Sequence, residues 1–191
     1  MPGLWPCLRY RRFHRALLHR ALLLQSFRSE KKTHKTANGV QSGHPHAGET
    51  RNLQKKEAGL NKEESKMRKA DDGHLTAADR ARLNRQQNKL SSNIYRDKHN
   101  GAVQNTNPKS EVGKRQENQQ DRIAQGIKSG QLAPRETAHL EGREAAINKE
   151  VTNDRAANGG TLTPAERRPV NRQQNRPSNA IYRKKHNGRV Q

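Results

Sequence analysis

The recurring spacing of a glycine, a leucine and an acidic residue is the pattern in this sequence that most suggests metal chemistry. Gly160, Leu162 and Glu166 fit positions six, eight and twelve of an EF-hand calcium loop. The same spacing recurs at Gly73, Leu75 and Asp79 and at Gly130, Leu132 and Glu136. The loop also needs an oxygen ligand at position one, but counting back from Gly160 places Arg155 there, whose cation opposes a divalent ion. We therefore favour the alternative, a helix end followed by a capping box, and predict no metal site.

Histidines are the second candidate group, because imidazole binds transition metals. His44 and His46 form a His-x-His pair within residues 33–47, a stretch rich in Gly, His, Thr and Ser that predicts a loop. The pair has no counterpart later in the chain, so we expect weak adventitious binding and no cofactor. His99 and His186 each precede Asn-Gly at the end of a predicted helix, where a histidine ring can satisfy terminal carbonyls.

A string of amide and arginine side chains, Asn-Arg-Gln-Gln-Asn, occupies residues 84–88 and returns at residues 171–175. Aligning residues 48–104 with residues 135–191 at this offset of 87 gives 30 identities in 57 positions, without a gap. The chain therefore contains a duplicated unit, and repeat architectures must be considered before other folds. Arginine and amide side chains reach phosphates and base edges in nucleic-acid complexes, which is one interpretation of the string. We favour the alternative, a solvated helix face.

Residues with the types and spacing of a catalytic site are missing from the sequence. Ser91 and Ser178 have no base placed beside them by the sequence pattern, the acidic residues are scattered along predicted helices, and there is no glycine-rich phosphate loop. Cys7 is the single cysteine, which excludes an intramolecular disulfide and a cysteine-based zinc site. We predict that the protein is not an enzyme and needs no cofactor.

The charge balance is the strongest indication of a partner. The 191-residue chain carries 39 Lys and Arg against 18 Asp and Glu, a formal net charge of +21. A chain this basic is drawn to polyanions, either nucleic acid or an anionic membrane surface. It has no apolar run near 18 residues, so we expect no transmembrane segment. Our candidate polyanion contacts are the cations in and after the repeated string: Arg85, Arg96, Lys98, Arg172, Arg183, Lys184 and Lys185.

The helices that must position these side chains are best defined in the second copy. Glu111–Lys128 and the stretch from Pro134 to about Ala157 are predicted helices that end at glycines, and a capping box at residues 163–166 starts a third. Pro169 and Pro177 are predicted to break that third helix, since an interior proline costs roughly 3 kcal/mol. Leu, Ile, Val and Phe number only 28, below the roughly 20% of residues under which a highly charged chain is expected to be disordered. We predict an all-α fold of tandem helix–Gly turn–helix repeats, with a marginal core and a substantially disordered N-terminal part.

Four regions follow from the repeat: residues 1–35, a basic amphipathic N-terminal segment; 36–104, a degraded first helical repeat; 105–120, a polar linker and helix start; and 121–191, the second helical repeat. The first region is rich in Arg and has no acidic residue before Glu30. That composition is typical of an organellar presequence or a membrane-surface helix, and a misassigned start is the alternative. His19 and Arg20 split its apolar residues, so it is not a clean secretion signal.

Three strings in the second copy carry a family resemblance: Arg-Ile-Ala-Gln-Gly-Ile with Ser-Gly-Gln-Leu in 122–132, Arg-Ala-Ala-Asn-Gly-Gly with Leu-Thr in 155–163, and the repeated string with Ile-Tyr-Arg and Lys-His-Asn in 171–187. They resemble a family of uncharacterised, usually exported bacterial proteins, over residues 116–187 and a second time over residues 49–100. Members of that family typically open with a secretion signal and carry one unit. The resemblance implies an exported or periplasmic protein and implies no activity.

We predict a non-enzymatic, basic helical repeat protein that binds polyanions through their phosphates without sequence preference. Two alternatives stay open. One is a helical structural or protein-interaction module, which would depend on the apolar stripe of Leu83, Leu90 and Ile94. The other is a degenerate EF-hand-like binder of divalent ions. The sequence names neither a protein partner nor a compartment.

Overall fold

Turns that contain glycine separate most of the helices of this protein. The structure is a computed structural model that describes residues 31–102, 105 and 108–187. Within those ranges the chain forms six α-helices and no β-strand, so the predicted all-α fold is confirmed. They are α1 (31–41, as far as it is described), α2 (Ala47–Ala70), α3 (Ala77–His99), α4 (Glu111–Lys128), α5 (Pro134–Ala157) and α6 (Pro164–Lys185). The predictions made for the N-terminal segment fall, up to residue 30, outside the described residues.

The turns after α2 and α5 have the same geometry, 87 residues apart. Gly73 and Gly160 have φ angles of +87° and +92°, in the left-handed region that favours glycine. The amide of Gly73 donates a hydrogen bond to the carbonyl of Arg68 at 2.7 Å, and Gly160 does the same to Arg155 at 2.7 Å. Because these bonds satisfy carbonyls of the last turn, they end both helices at equivalent positions.

Reciprocal hydrogen bonds begin α3 and α6. Thr163 Oγ1 accepts a bond from the Glu166 amide at 3.3 Å, and the Glu166 carboxylate accepts one from the Thr163 amide at 2.8 Å. Thr76 and Asp79 make the equivalent pair of bonds, at 3.0 and 3.2 Å. Each box satisfies two of the amides that a helix N-terminus otherwise leaves unpaired.

Helices α2 and α5 form the centre of the fold, since no other pair among α2 to α6 packs as extensively. Their bounds are 87 residues apart at both ends, so these two helices come from equivalent positions of the two sequence copies. Helix α3 packs on α2, and α6 packs on α5 and α4. Buried apolar side chains in the described ranges form three separate clusters. The largest of these joins Ala37 and Val40 of α1 to Ile123 and Ile127 of α4 and Ile181 of α6. A core divided in this way fits the low apolar content of the chain.

The prediction of a loop over residues 33–47 is wrong for its first part, because α1 extends to residue 41. Ala37 and Val40 of this helix are 2% and 3% exposed. The stretch has weak helical signals of its own, but packing of its apolar side chains against α4 stabilises the helix.

The prediction that prolines break the last helix is also wrong. Helix α6 is continuous, although Pro169 and Pro177 lie inside it. Val170 and Ile181 are fully buried on either side of Pro177, which is itself buried. Burial of a large apolar side chain contributes about 1.5–3 kcal/mol, so these anchors offset the roughly 3 kcal/mol that an interior proline costs.

Candidate polyanion-binding surface

The seven cations that the sequence singled out lie on two helices. Arg85, Arg96 and Lys98 are on α3, and Arg172, Arg183, Lys184 and Lys185 are on α6. The arginines are exposed and the lysines are half-buried. In the described ranges α3 and α6 are not a pair that packs extensively, so the structure does not bring the two sets together. Two of the seven form ion pairs, Arg96 with Asp97 at 3.6 Å and Lys184 with Glu136 at 3.3 Å.

The repeated amide string is structural in the second copy. Gln174 is 1% exposed, and its side-chain Nε2 donates a hydrogen bond to the Val112 carbonyl at 2.9 Å. The backbone carbonyl of Gln174 accepts a hydrogen bond from Gln119 Nε2 at 2.6 Å. Gln173 Nε2 donates to Glu150 Oε1 at 3.1 Å. These bonds join α6 to α4 and α5, so the solvated-face interpretation is wrong for Gln173 and Gln174, although Arg172 and Asn175 of the same string are exposed. Side chains that hold helices together are also not free to read bases.

The two Tyr-x-x-x-His pairs of this chain have the same geometry, which shows what the histidines do at the helix ends. His99 Nδ1 makes a hydrogen bond with the Tyr95 carbonyl at 2.6 Å, and His186 Nδ1 with the Tyr182 carbonyl at 2.7 Å. Each imidazole stacks on the tyrosine ring, with centroids 4.2 and 4.3 Å apart. The predicted role, satisfying terminal carbonyls, is confirmed for both histidines.

The acidic residues at the last position of the calcium-like spacings take part in helix capping. Glu166 accepts hydrogen bonds from the Thr163 amide, the Thr163 hydroxyl and Asn158 Nδ2, at 2.8, 2.9 and 2.7 Å. These bonds, chiefly those from Thr163, lower the pKa of the Glu166 carboxyl. At the first position, Arg155 donates to Ser110 Oγ at 2.8 Å. Within the described ranges no three His, Cys, Asp or Glu side chains form a group that could hold a metal ion. The observed bonds are those of a helix start, and they compete with coordination of an ion.

Buried carboxyl groups on the two central helices are the feature that sequence reasoning missed. Glu141 and Glu144 of α5 are both 0% exposed, and Glu57 of α2 is 8% exposed. Burial raises the pKa of Glu141 and of Glu144 to about 8, and it raises the pKa of Glu57 despite the nearby charge of Lys32. The signal was present as a spacing: Thr50, Gln54 and Glu57 repeat as Thr137, Glu141 and Glu144. Because these residues are polar, the spacing did not indicate that they form a buried helix face.

Comparison with known proteins found no matching family model, no matching curated protein and no matching solved structure.

Proposed function

We propose that this protein binds polyanions through their phosphate groups, without sequence preference and without catalysing a reaction. The observation that carries the proposal is the large excess of cations over acidic partners. Electrostatic attraction of this kind requires accessible positive charge and no shaped recognition of bases. The resemblance to exported bacterial proteins adds a proposal about compartment only.

The folded helices do not neutralise this charge internally. Of the 39 Lys and Arg residues, 32 lie in the described ranges. Within those ranges, the Lys and Arg side chains that interact with a carboxylate are Arg68, Arg82, Arg96, Lys184 and Lys32. Most Lys and Arg side chains in the described ranges thus form no ion pair, so their field is available to a polyanion.

An anionic membrane surface is the other polyanion that this charge could serve. None of the helices in the described part of the chain is both long and apolar enough to cross a membrane. The large apolar side chains most exposed there are Tyr95 and Tyr182, at 67% and 59%. A helix that lies in a membrane interface needs a broad apolar face, and two isolated tyrosines do not supply one. For the helices of the described ranges, nucleic acid is therefore the polyanion we favour.

The apolar stripe on which the interaction-module alternative depends is buried and is not presented on the surface. Leu83, Leu90 and Ile94 are 1%, 3% and 3% exposed. Leu90 and Ile94 pack with Leu53 of α2, in the core of the protein. A protein partner could reach them only if α3 separated from α2.

The test is the salt dependence of binding by the full chain. Filter binding to two unrelated duplexes of equal length, at several salt concentrations, should give equal affinities. Each log–log plot should be linear, with a slope near −0.9 for each phosphate neutralised. Arg85→Gln or Arg172→Gln should weaken binding to both duplexes alike and lower the slope by roughly one. The charge-conserving Arg85→Lys should leave both the affinity and the slope unchanged. Affinity that survives high salt, or strong preference for one duplex, would contradict the proposal.

A further inference from the structure

The surface between the two central helices contains a groove of about 920 Å³. One side is formed by α2 and the other by the first half of α5, with one residue contributed by α6. Six cations line it: Arg51, Lys55, Lys62, Arg135, Arg143 and Lys184. Only Lys184 is within the set that the sequence analysis singled out, so this concentration of charge was not predicted.

Little negative charge opposes these six cations. Glu136 is the one carboxylate among the lining residues, and it pairs with Lys184 at 3.3 Å. Within the described ranges, the other five cations form no ion pair. A low-dielectric wall lined by charges of one sign focuses the field in the groove and attracts counter-ions of opposite sign.

Four of the residues that line the groove are small. Ala58, Gly59, Ala138 and Gly142 lie there. The guanidinium of Arg51 passes close to Gly142, with Nε 3.0 Å from the position that a β-carbon would occupy. These small side chains lie among the cations that α2 and α5 contribute to the lining.

The duplication provides an internal comparison that shows this charge to be local. A second groove shares three positions with the first at the 87-residue offset, Gly48, Ala145 and Lys149. It measures about 450 Å³ and is also lined by Pro108, which precedes α4, and by Gly113 of α4. Lys149 and Arg155 are its only Lys or Arg residues among those described. The counterparts of Arg51, Lys55, Arg135 and Lys184 in the other copy are Ala138, Gly142, Gly48 and Asp97. The cations at four of the six positions therefore do not follow from the repeated sequence.

We propose that this α2–α5 groove binds the phosphate backbone of a single strand of nucleic acid, an inference that rests on the polyanion binding proposed above. The twelve residues from Arg51 to Lys62 span about 16 Å of helix. That length lets more than one phosphate of a single strand lie along the groove. A duplex is read by a convex element that enters its groove, whereas a concave channel between two helices accepts one strand. No aromatic side chain is among the described lining residues, so the contacts are to phosphates and the bases are not read.

The test compares two triple variants of the full chain that remove the same charge from the same helices. Lys55→Gln, Lys62→Gln and Arg143→Gln remove exposed cations from the groove. Lys56→Gln, Lys66→Gln and Lys149→Gln remove exposed cations that do not line it. Binding of a fluorescent single-stranded oligonucleotide is measured by anisotropy over a range of salt. With a slope near −0.7 for each phosphate on single strands, the groove variant should lower the slope by about 2 and weaken binding about tenfold at low salt. The control variant should change both much less.

Substitutions at Gly59 test the site without removing any contact. A β-carbon at Gly59 meets no atom within 4 Å, so a side chain fits there without disturbing the helices. Gly59→Glu should weaken binding several-fold relative to Gly59→Gln, and Gly59→Lys should strengthen it. Circular dichroism should show equal helix content in all three, since each of these residues favours a helix over glycine.

The outcomes separate this inference from the function on which it rests. The groove proposal is supported if binding weakens in the groove triple variant and not in the control triple variant, and if single strands bind more tightly than duplexes of equal length. The groove proposal is overturned if both triple variants lose the same affinity, or if duplex binds as tightly as single strands or more tightly. Either result leaves the proposed polyanion binding intact. If the unmodified chain binds neither nucleic acid at low salt, both proposals fail.

Discussion

Gln120 Nε2 donates a hydrogen bond to Glu141 Oε2 at 3.0 Å, linking α4 to α5 inside the protein. The other oxygen, Glu141 Oε1, has no hydrogen-bond partner in the described part of the chain. A carboxyl group in such a position is stable as the neutral acid and costly as the anion, because burial removes the water that would solvate the charge. This is why the Glu141 and Glu144 carboxyls, whose ordinary pKa is 4.5, have a pKa of about 8.

We predict that the free energy of unfolding decreases as pH rises. The folded state binds the two protons more tightly than the unfolded state, so the stabilisation is complete below about pH 4.5 and is lost as pH rises through about 8. Glu141→Gln, which places at this site the residue found at the equivalent position 54, should flatten the decline. Urea denaturation at pH 5 and pH 8.5 measures it.

The control for that experiment is Glu117→Gln, at a half-buried position of α4. It removes one negative charge without removing a buried carboxyl. If Glu141→Gln and Glu117→Gln show the same dependence on pH as the unmodified chain, the burial of Glu141 does not control stability in this range.

Two helical glycines should respond to alanine in opposite directions. A β-carbon at Gly126 would lie 2.5 Å from Leu132 Cδ1, whereas at Gly59 it meets nothing within 4 Å. Gly126→Ala should destabilise the fold by about 1–3 kcal/mol, since the contact with Leu132 forces repacking. Gly59→Ala should stabilise it by about 0.5–1 kcal/mol, because alanine restricts the unfolded chain. Chemical denaturation of both variants gives the two values, and a change of the same sign at both sites would show that local packing does not decide them.

Removing an interior proline should stabilise α6. Pro169→Arg, the residue at the equivalent position 82, restores a backbone donor in the middle of the helix. We expect the free energy of unfolding to rise by about 1–3 kcal/mol, since an interior proline costs roughly 3 kcal/mol and restricts the unfolded chain by less. Pro169→Ala should give a similar gain without the added charge. An unchanged or lower stability in both variants would mean that surrounding contacts require the proline.

Calcium should not bind at the glycine turns. Glu166 already accepts bonds from Thr163 and Asn158, so coordination would cost the cap of α6. Isothermal titration should give no saturable heat and no gain in helix, even in Arg155→Asp, which supplies an oxygen at the first ligand position. Saturable uptake with a gain of helix in the unmodified chain would restore the EF-hand-like alternative.

The start and end of most helices could be read from the sequence because the forces that set them act over a few residues. Glu111–Lys128 and Pro134–Ala157 have the predicted bounds. Their ends depend on a glycine or a cap within one turn, and such bonds form whatever the rest of the chain does. The histidines at the ends of α3 and α6 were predictable for the same reason, since each bonds a carbonyl four residues earlier.

Features that depend on residues distant in the sequence could be decided only by the tertiary structure. Helix α1 and the unbroken α6 are stable because their apolar side chains meet α4 and other helices, which no local pattern encodes. The charges of Arg51 and Arg143 are ordinary surface cations in the sequence, and they become one groove only because α2 packs beside α5. Glu144 is likewise an unremarkable acid until that packing excludes water and raises its pKa to about 8. Short-range hydrogen bonds, which the sequence encodes locally, thus determine where helices end. Burial between distant segments determines which carboxyl groups become neutral and which cations come to line one groove.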